Sequence, residues 1–247
     1  MIFGVLAVLL ILFSIFSEYI APYDPYMQDL ANAKAPPSAA HPMGTDRYGR
    51  DLLSRVIVGS RASIFSTLLL VAVITCFGTA VGIFCGWNGG WLDTVLMRIS
   101  DMFLAFPGLV FALAVAGILG GGLQNAIIAL AAISWPKYAR LARSQTLAQK
   151  ENAYLKAAKL SGSNTAQIIL RHILPNILGP ILVTAMLDIG TMMMELAGLS
   201  FLGLGAKAPT AEWGSMMSDT RSLMTTAPFI TFAPGIAIFF SVMIFNL

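Results

Sequence analysis

Charged residues are scarce in this sequence, at 11% of its 247 residues, whereas a soluble domain usually has about 25%. Hydrophobic residues make up 57% of the chain, and the mean hydropathy is +0.78. This imbalance excludes an ordinary soluble domain and indicates an integral membrane protein in contact with lipid. The net charge is only +3. Because the Lys and Arg residues lie between hydrophobic runs, they give no reason to expect nucleic-acid binding.

Cysteine is also rare, with only Cys76 and Cys85, which fall in one predicted helix. Their spacing puts them on opposite faces of that helix, roughly 13 Å apart along its axis. They therefore cannot form a disulfide with each other. We interpret both as small buried hydrophobic residues.

Catalytic and metal-binding motifs are missing as well. The nearest fragment to a phosphate-binding loop, "GLGAK" at 203–207, lacks the required spacing and the following hydroxyl. The sequence contains neither H-E-x-x-H nor a nucleophile elbow. His41 has no second His or Cys at ligand spacing, so we assign no metal site. We expect this chain to be non-catalytic and to bind no cofactor itself.

Long apolar runs predict six membrane helices, at about 20 residues per crossing. The predicted spans are Ile2–Ile20, Ile64–Gly86, Met102–Leu119, Leu123–Leu141, Ile177–Leu196 and Phe229–Leu247. The first run lacks a basic n-region and a cleavage site, which favours a membrane helix over a signal peptide. The first and last spans lack the polar flanks usual for membrane helices, so we expect the sequence to be part of a longer chain.

The distribution of basic residues predicts the orientation. The end of the fourth span and the loop that follows it, residues 136–176, hold seven Lys or Arg and a single acid, Glu151. The positive-inside rule makes this loop cytoplasmic. Counting six helices from it places residues 21–63 outside the membrane and both termini in the cytoplasm.

That basic loop contains "YLKAAKLSGSNTAQIILRHILPN", residues 154–176, which we interpret as two short helices with a turn between them. Gly162 is able to end the first helix at positive φ, and Ser163 or Asn164 to cap the second. Pro175 marks the start of the next crossing. A loop that only anchors topology needs no such design, so the pattern favours a docking surface for a cytoplasmic partner.

The same segment resembles the EAA motif of ABC importer permeases, in which E-A-A, three residues, G and nine residues precede I-x-L-P. The residues that match in register are Ala157, Ala158, Gly162, Leu174 and Pro175. Lys156 stands where the motif has Glu, and His172 where it has Ile. The resemblance implies a coupling helix, within residues 143–176, that docks on an ATP-binding subunit. The contact residues it implies are Lys156, Ala157, Ala158, Gly162 and Ser163.

A second stretch, "HPMGTDRYGRDLLSRVIVGSRAS" at 41–63, resembles the signature of the C-type permeases of dipeptide, oligopeptide and nickel importers. The matching residues include His41, Gly44, Thr45, Asp46, Gly49, Arg50, Asp51 and Arg55. We predict a turn followed by an amphipathic helix that Thr45 or Asp46 caps, with local pairs among Arg50, Asp51 and Arg55. Two interpretations stay open: a structural plug at the outer mouth, or a contact surface for an external substrate-delivery protein.

The fifth predicted span carries Asp188 and Glu195, seven residues apart and therefore on one helical face. Acidic groups at membrane depth usually face a bundle interior or a watery path. One interpretation is a pair of structural carboxylates with methionines filling gaps; the other is a translocation path lined by Asp188, Met192 and Glu195. Earlier in the chain, Arg98 and Asp101 have the spacing of an ion pair.

The resemblance runs through nearly the whole chain. It implies an all-α membrane protein with the type I ABC importer transmembrane-domain fold over residues 1–247. Residues 1–20 would form the first membrane helix, 21–63 an extracytoplasmic loop and 64–247 a five-helix permease core. It also implies a permease subunit in a bacterial inner membrane. Its partners would be a second similar permease, two ATP-binding subunits that hold ATP and Mg, and an extracytoplasmic substrate-binding protein.

The cargo is the finest inference. Residues 187–214 look closer to the nickel-importing members, so we expect nickel, as a small chelate, with di- or oligopeptides as the alternative. A stand-alone secondary transporter, from another class, would need internal inverted repeats and coupling-ion residues. No such repeat is visible.

Overall fold

The computed structural model describes residues 2–247, with side chains from residue 4; Met1, the first residue of the predicted 1–20 helix, lies outside this part. Apart from an isolated bridge between Thr45 and Asp51, the regular structure of these residues is helical. The α-helices are α1 (Ile2–Ile15), α2 (Ser17–Ile20), α3 (Leu52–Asn88), α4 (Gly90–Ala105), α5 (Gly108–Ile118), α6 (Leu123–Lys150), α7 (Ala153–Leu160), α8 (Thr165–Ile168), α9 (Leu174–Leu199), α10 (Trp213–Thr220) and α11 (Pro228–Asn246). Short 3-10 turns cover Leu30–Asn32 and Arg221–Leu223, and π-helical turns cover Ile169–Ile173 and Ser200–Leu204.

Within the described residues, three helical runs are long and apolar enough to cross a membrane: Leu52–Asn88, Thr165–Leu204 and Pro228–Asn246. A fourth results if α4 and α5, which meet at 96°, are counted as one broken span. The protein is therefore an all-α membrane protein. The six-span arrangement and the division at residues 20 and 63 stay predictions.

Several helix boundaries differ from the sequence-based spans, and two of the differences have a clear reason. The predicted third span, Met102–Leu119, is broken because Pro107 disfavours a helical residue before it, and Phe106 is extended at φ −95° and ψ 147°. The predicted second span, Ile64–Gly86, is only the apolar part of α3, which begins at Leu52. Hydrophobicity locates the part of a helix that suits lipid, and not the helix itself.

The chain forms two compact units. The first comprises residues 2–70, Ala112–Ala129 and Ile189–Leu247. The indole of Trp213 lies in its core, packs against Gly59 and donates from Nε1 to the carbonyl oxygen of Val56 at 2.9 Å. The other buried core residues are Leu52, Val56, Ile64, Met193, Ala211, Met216, Ala227, Ile230 and Ile238.

The second unit comprises Val71–Phe111 and Leu130–Asp188, and it contains most of α6. Gly78, Gly82 and Gly86 place one face of α3 directly against α6. A Cβ at Gly78 would lie 2.5 Å from the carbonyl oxygen of Trp135, and one at Gly82 would clash with the carbonyl oxygen of Ala139. The two helix backbones therefore approach as closely as side-chain-free residues allow.

Ion pairs fix α4 to α6 within the same unit. The guanidinium of Arg143 donates from Nε and Nη2 to the two carboxylate oxygens of Asp93, at 2.5 and 2.6 Å. Arg140 pairs with Asp101, so the Arg98–Asp101 pair that the spacing allows is not the one formed. Spacing three residues apart allowed the local pair, but Arg140 on a neighbouring helix takes the carboxylate instead.

The cysteine prediction is half correct. Cys85 is buried and Cys76 is exposed, and neither forms a disulfide. The opposite-face geometry accounts for the difference, because one face of this helical stretch packs in the second unit while the other lines an open groove.

Candidate coupling segment and transport path

The coupling segment, residues 153–168, begins with α7 and is held to the second unit by few side chains. Leu155 is its one buried residue in α7. The hydroxyl of Tyr154 donates to Oε1 of Gln149 at 2.8 Å and accepts from the side-chain Nδ2 of Asn176 at 3.3 Å. The hydroxyl thus ties the start of α7 to the segments before and after it.

The turn at the centre of the segment has the predicted form. Gly162 has φ +85°, and its amide donates to the carbonyl oxygen of Lys159 at 3.1 Å. The amide of Ser163 donates to the carbonyl oxygen of Ala158, also at 3.1 Å. These bonds satisfy the free carbonyls at the end of α7, so the prediction that Gly162 ends this helix is confirmed.

Asn164 caps α8, which selects one of the two predicted caps. Its side chain accepts from the amide of Gln167 at 2.8 Å, while the Gln167 side chain accepts from the Asn164 amide at 2.9 Å. This reciprocal pair is a capping box. Ser163 was the other option, but it lies one residue too early to reach the third helical amide.

Pro175 lies in the first turn of α9, as predicted, but no break separates α9 from the helical residues before it. The helical run continues from Thr165 through the π-helical turn at Ile169–Ile173 into α9, which begins at Leu174. Proline lacks an amide proton and is tolerated in the first turn of a helix. The π-helical turn just before it lets the backbone stay helical with a wider hydrogen-bond pattern.

The residues expected to contact an ATP-binding subunit lie on the surface of this unit. Lys156, Ala157 and Gly162 are exposed, and Ala158 and Ser163 are half-buried. Leu160, which the motif did not single out, is 90% exposed. An apolar side chain so exposed beside basic residues suits a partner surface. The sequence held one indication of this exposure: Leu160 ends a helix whose buried residue is already Leu155.

Asp188, predicted to lie on the path, is only 4% exposed. Its Oδ1 accepts from Nζ of Lys137 at 2.5 Å, and its Oδ2 accepts from the hydroxyl of Tyr138 at 2.8 Å. Sequence reasoning counted Lys137 only as a topology-setting charge and missed Tyr138. Their adjacent positions at the end of a predicted span were the only signal.

The other two predicted path residues belong to the first unit. Met192 is buried, and Glu195 is half-buried. A buried thioether fills space in a protein interior, which agrees with the gap-filling interpretation for Met192. The lining of a path by Asp188, Met192 and Glu195 stays a prediction.

The signature residues of the stretch 41–63 form a buried polar network. Thr45 Oγ1 donates to the carbonyl oxygen of Asn32 at 2.5 Å, and Asp46 Oδ2 accepts from Nε of Arg50 at 2.6 Å. Nε of Arg55 lies 3.5 Å from the same carboxylate. Gly44 and Gly49 have φ values of +78° and +74°, which turn the loop back so that it packs against itself.

Asp51 caps α3, so the predicted caps Thr45 and Asp46 are wrong. Its Oδ2 accepts from the amide of Ser54 at 2.8 Å, the usual reach of an N-cap residue. Its Oδ1 lies 2.8 Å from Nδ1 of His41. The predicted local pairs are also redistributed, because Asp46 pairs with both arginines while Asp51 pairs with His41.

Among the described residues, no group of three or more His, Cys, Asp or Glu is placed to hold a metal ion.

Known proteins resemble this chain over nearly its whole length. The nickel transport system permease protein NikC of Escherichia coli is 40% identical over 243 residues, which cover 98% of this chain and 88% of that protein. The glutathione transport system permease protein GsiD of Pectobacterium atrosepticum is 40% identical over 245 residues, covering 99% and 81%. The dipeptide transport system permease protein DppC of Alkalihalophilus pseudofirmus is 41% identical over 237 residues, covering 96% and 78%.

Fold comparison agrees. A subunit of the MetNI methionine ABC transporter, in an inward-facing conformation, superimposes with a TM-score of 0.61 at 17% identity, covering 78% of this chain and 92% of that one. Residues 78–247 match the model of the binding-protein-dependent transport system inner membrane component, and residues 1–37 match that of the N-terminal TM domain of oligopeptide transport permease C. The helical fold and these matches define a membrane permease of the ABC importer class. In particular, the chain belongs to the family of binding-protein-dependent transport system inner membrane components.

Proposed function

We propose that this chain forms half of the translocation path of an ATP-driven importer in a bacterial inner membrane. A second, similar permease forms the other half, two ATP-binding subunits dock in the cytoplasm, and an extracytoplasmic binding protein delivers cargo. ATP and Mg are held by the docked subunits. Membership of the ABC importer permease family removes the case for a stand-alone secondary transporter.

The observation that carries this proposal is the exposed coupling segment on a firmly held helix. α6 is fixed to α3 through glycines and to α4 through the Arg143–Asp93 and Arg140–Asp101 pairs. α7 follows α6 after two residues. A push on α7 is therefore passed to three packed helices of this unit rather than absorbed by a loop.

The orientation follows from the basic charge of the same segment. The cytoplasmic side then contains α7 and α8, together with both termini, and the polar network around Asp46 lies outside. ATP shifts the balance between outward- and inward-facing states only if the docked subunits bind the two states differently. In this proposal that difference enters through α7 and α8.

Two cargoes have support. The NikC relative argues for nickel, imported as a chelate, and the DppC and GsiD relatives argue for di- or oligopeptides and similar small peptides. The identities differ by only one percentage point, 40% against 41%, so they do not rank these cargoes. Competitive uptake of radioactive nickel and a labelled dipeptide, in cells lacking and then regaining the transporter, separates them.

Copurification tests the assembly. An affinity-tagged chain, expressed with the genes of its own operon, should bring down an ATPase subunit in detergent. A matched variant in which Gly162, Lys156 and Leu160 are replaced by Glu should bring down much less, while still inserting in the membrane. Failure of the unmodified chain to retain any ATPase subunit would refute the importer proposal.

A further inference from the structure

The second unit presents an exposed ammonium beside a carboxylate that is already occupied. The side chain of Lys137 is 54% exposed, whereas that of Asp188 is 6% exposed. One carboxylate oxygen accepts from Lys137 and the other from Tyr138. The acidic group is thus used inside the protein, and the basic group is the one available to a ligand.

The position of Lys137 indicates what its exposed side faces. It pairs with Asp188, which lies near the middle of the apolar run Thr165–Leu204, and its neighbours Trp135, Tyr138 and Ala139 are buried in the unit. Charged side chains at membrane depth avoid lipid and face a bundle interior or a water-filled cavity. In an assembled importer, the water-filled cavity at this depth is the translocation path.

Resting on the proposed function, we infer that Lys137 contacts the cargo and selects solutes that carry a carboxylate. An ammonium has three donors, of which Asp188 takes one, so two remain for a cargo carboxylate in charge-assisted hydrogen bonds. Asp188 offsets this charge at a distance, but the exposed end of the pair is the positive one, so close contact favours a carboxylate over a bare divalent cation. Nickel therefore passes as a carboxylate chelate, and a peptide passes with its C-terminal carboxylate free.

A labelling experiment tests the location without reference to cargo. Lys137→Cys is made in a chain with Cys76→Ser and Cys85→Ala, and the assembled importer in permeabilised membranes is treated with a membrane-impermeant thiosulfonate. Lys207→Cys, in an exposed loop, is the positive control. Labelling at both positions is expected, and labelling at position 207 without labelling at position 137 overturns the inference.

A selectivity experiment tests the chemistry. The double variant Lys137→Gln with Asp188→Asn removes both charges, so that no buried carboxylate is left without its partner. The readout is the ratio of ATP-dependent uptake of dialanine to uptake of its C-terminal amide, in proteoliposomes supplied with one binding protein throughout. Loss of one charge-assisted contact lowers this ratio about tenfold, while Lys137→Arg keeps it. A ratio that is unchanged in the double variant means that Lys137 serves only to neutralise Asp188.

If the unmodified importer takes up neither peptide, radioactive nickel replaces them. The readout is then the ratio of nickel uptake from its citrate chelate to nickel uptake from the aquo ion. A preference for citrate that the double variant loses supports the inference, and a preference that persists overturns it. If the unmodified importer takes up neither peptide nor nickel, the proposed cargoes are wrong. The labelling of Lys137→Cys then decides the inference by itself.

Discussion

The signature stretch at residues 41–63 and the coupling segment are both rich in polar and charged residues, yet they use them in opposite ways. Around Asp46 the charges are buried, and Arg50 and Arg55 share one carboxylate. In the coupling segment, Lys156 and Lys159 are exposed, and so is the apolar Leu160. The charged groups of the first region are paired with one another. The second offers surface that only a partner would cover, and the family resemblance of each motif does not reveal this difference.

The largest effect on stability is expected from Asp46→Ala. It leaves two buried guanidinium groups without their carboxylate, which costs about 3–5 kcal/mol. Thermal unfolding of the purified chain in detergent measures the loss. Asp219→Ala is the matched control, because its pair with Arg47 is long, at 3.7 Å, and partly exposed, so it should cost at most about 1 kcal/mol. Equal losses in the two variants would mean that the network around Asp46 does not act as a buried core.

A smaller loss is expected from Gly82→Ala, which forces a methyl group into the backbone of α6. Overpacking of this kind costs about 1–3 kcal/mol. Gly179→Ala, where no atom lies within 4 Å of the new Cβ, should be neutral or stabilising, since alanine favours a helix over glycine by about 1 kcal/mol. The two unfolding midpoints are compared in the same detergent. A shift of the same sign and size in both would contradict the close contact of α3 with α6.

Asn164→Ala removes the capping box of α8 and should cost about 1 kcal/mol. The effect should be local, so hydrogen exchange of the amides in residues 164–168 is the measurement. Ser163→Ala, which leaves the cap in place, should leave those rates unchanged. Faster exchange in the Ser163 variant, with unchanged exchange in the Asn164 variant, would reverse the assignment of the cap.

Leu160→Ser should change the stability of the chain least of all, because its side chain is almost fully exposed already. Its effect is expected in binding: burial of a leucine at an interface contributes about 1.5–3 kcal/mol, so affinity for the ATP-binding subunits should fall at least tenfold. Binding of the purified ATPase subunit to the permease complex in nanodiscs provides the measurement. Unaltered affinity would place the docking surface elsewhere.

Sequence patterns predicted the elements whose cause is local. Positive φ at Gly162 and the helix–turn–helix form of the coupling segment follow from the conformational freedom of glycine and from helix propensity, and both are observed. The break at Pro107 had its cause in the sequence as well, since proline restricts the residue before it. Hydropathy masked the break, because a run that remains apolar across a proline still averages as one span.

Partners that are distant in sequence were not predictable. Asp101 pairs with Arg140, 39 residues away, and Asp188 pairs with Lys137, 51 residues away. The cap of α3 was misplaced because three candidate residues precede the helix, and only the folded loop shows that Thr45 and Asp46 are used elsewhere. Spacing identifies groups able to meet within one helix, whereas packing between helices decides which of them do.

The coupling role of Gly162 is the central claim, and simultaneous measurement of ATP hydrolysis and cargo uptake in proteoliposomes tests it most directly. No atom lies within 4 Å of a Cβ at this position, so Gly162→Val acts through its unfavourable positive φ, which costs about 1–2 kcal/mol. Gly162→Asn is the matched control, since asparagine tolerates this conformation. We predict that the valine variant hydrolyses ATP but loses at least about tenfold in uptake, while the asparagine variant retains both. Normal uptake by the valine variant would contradict the account.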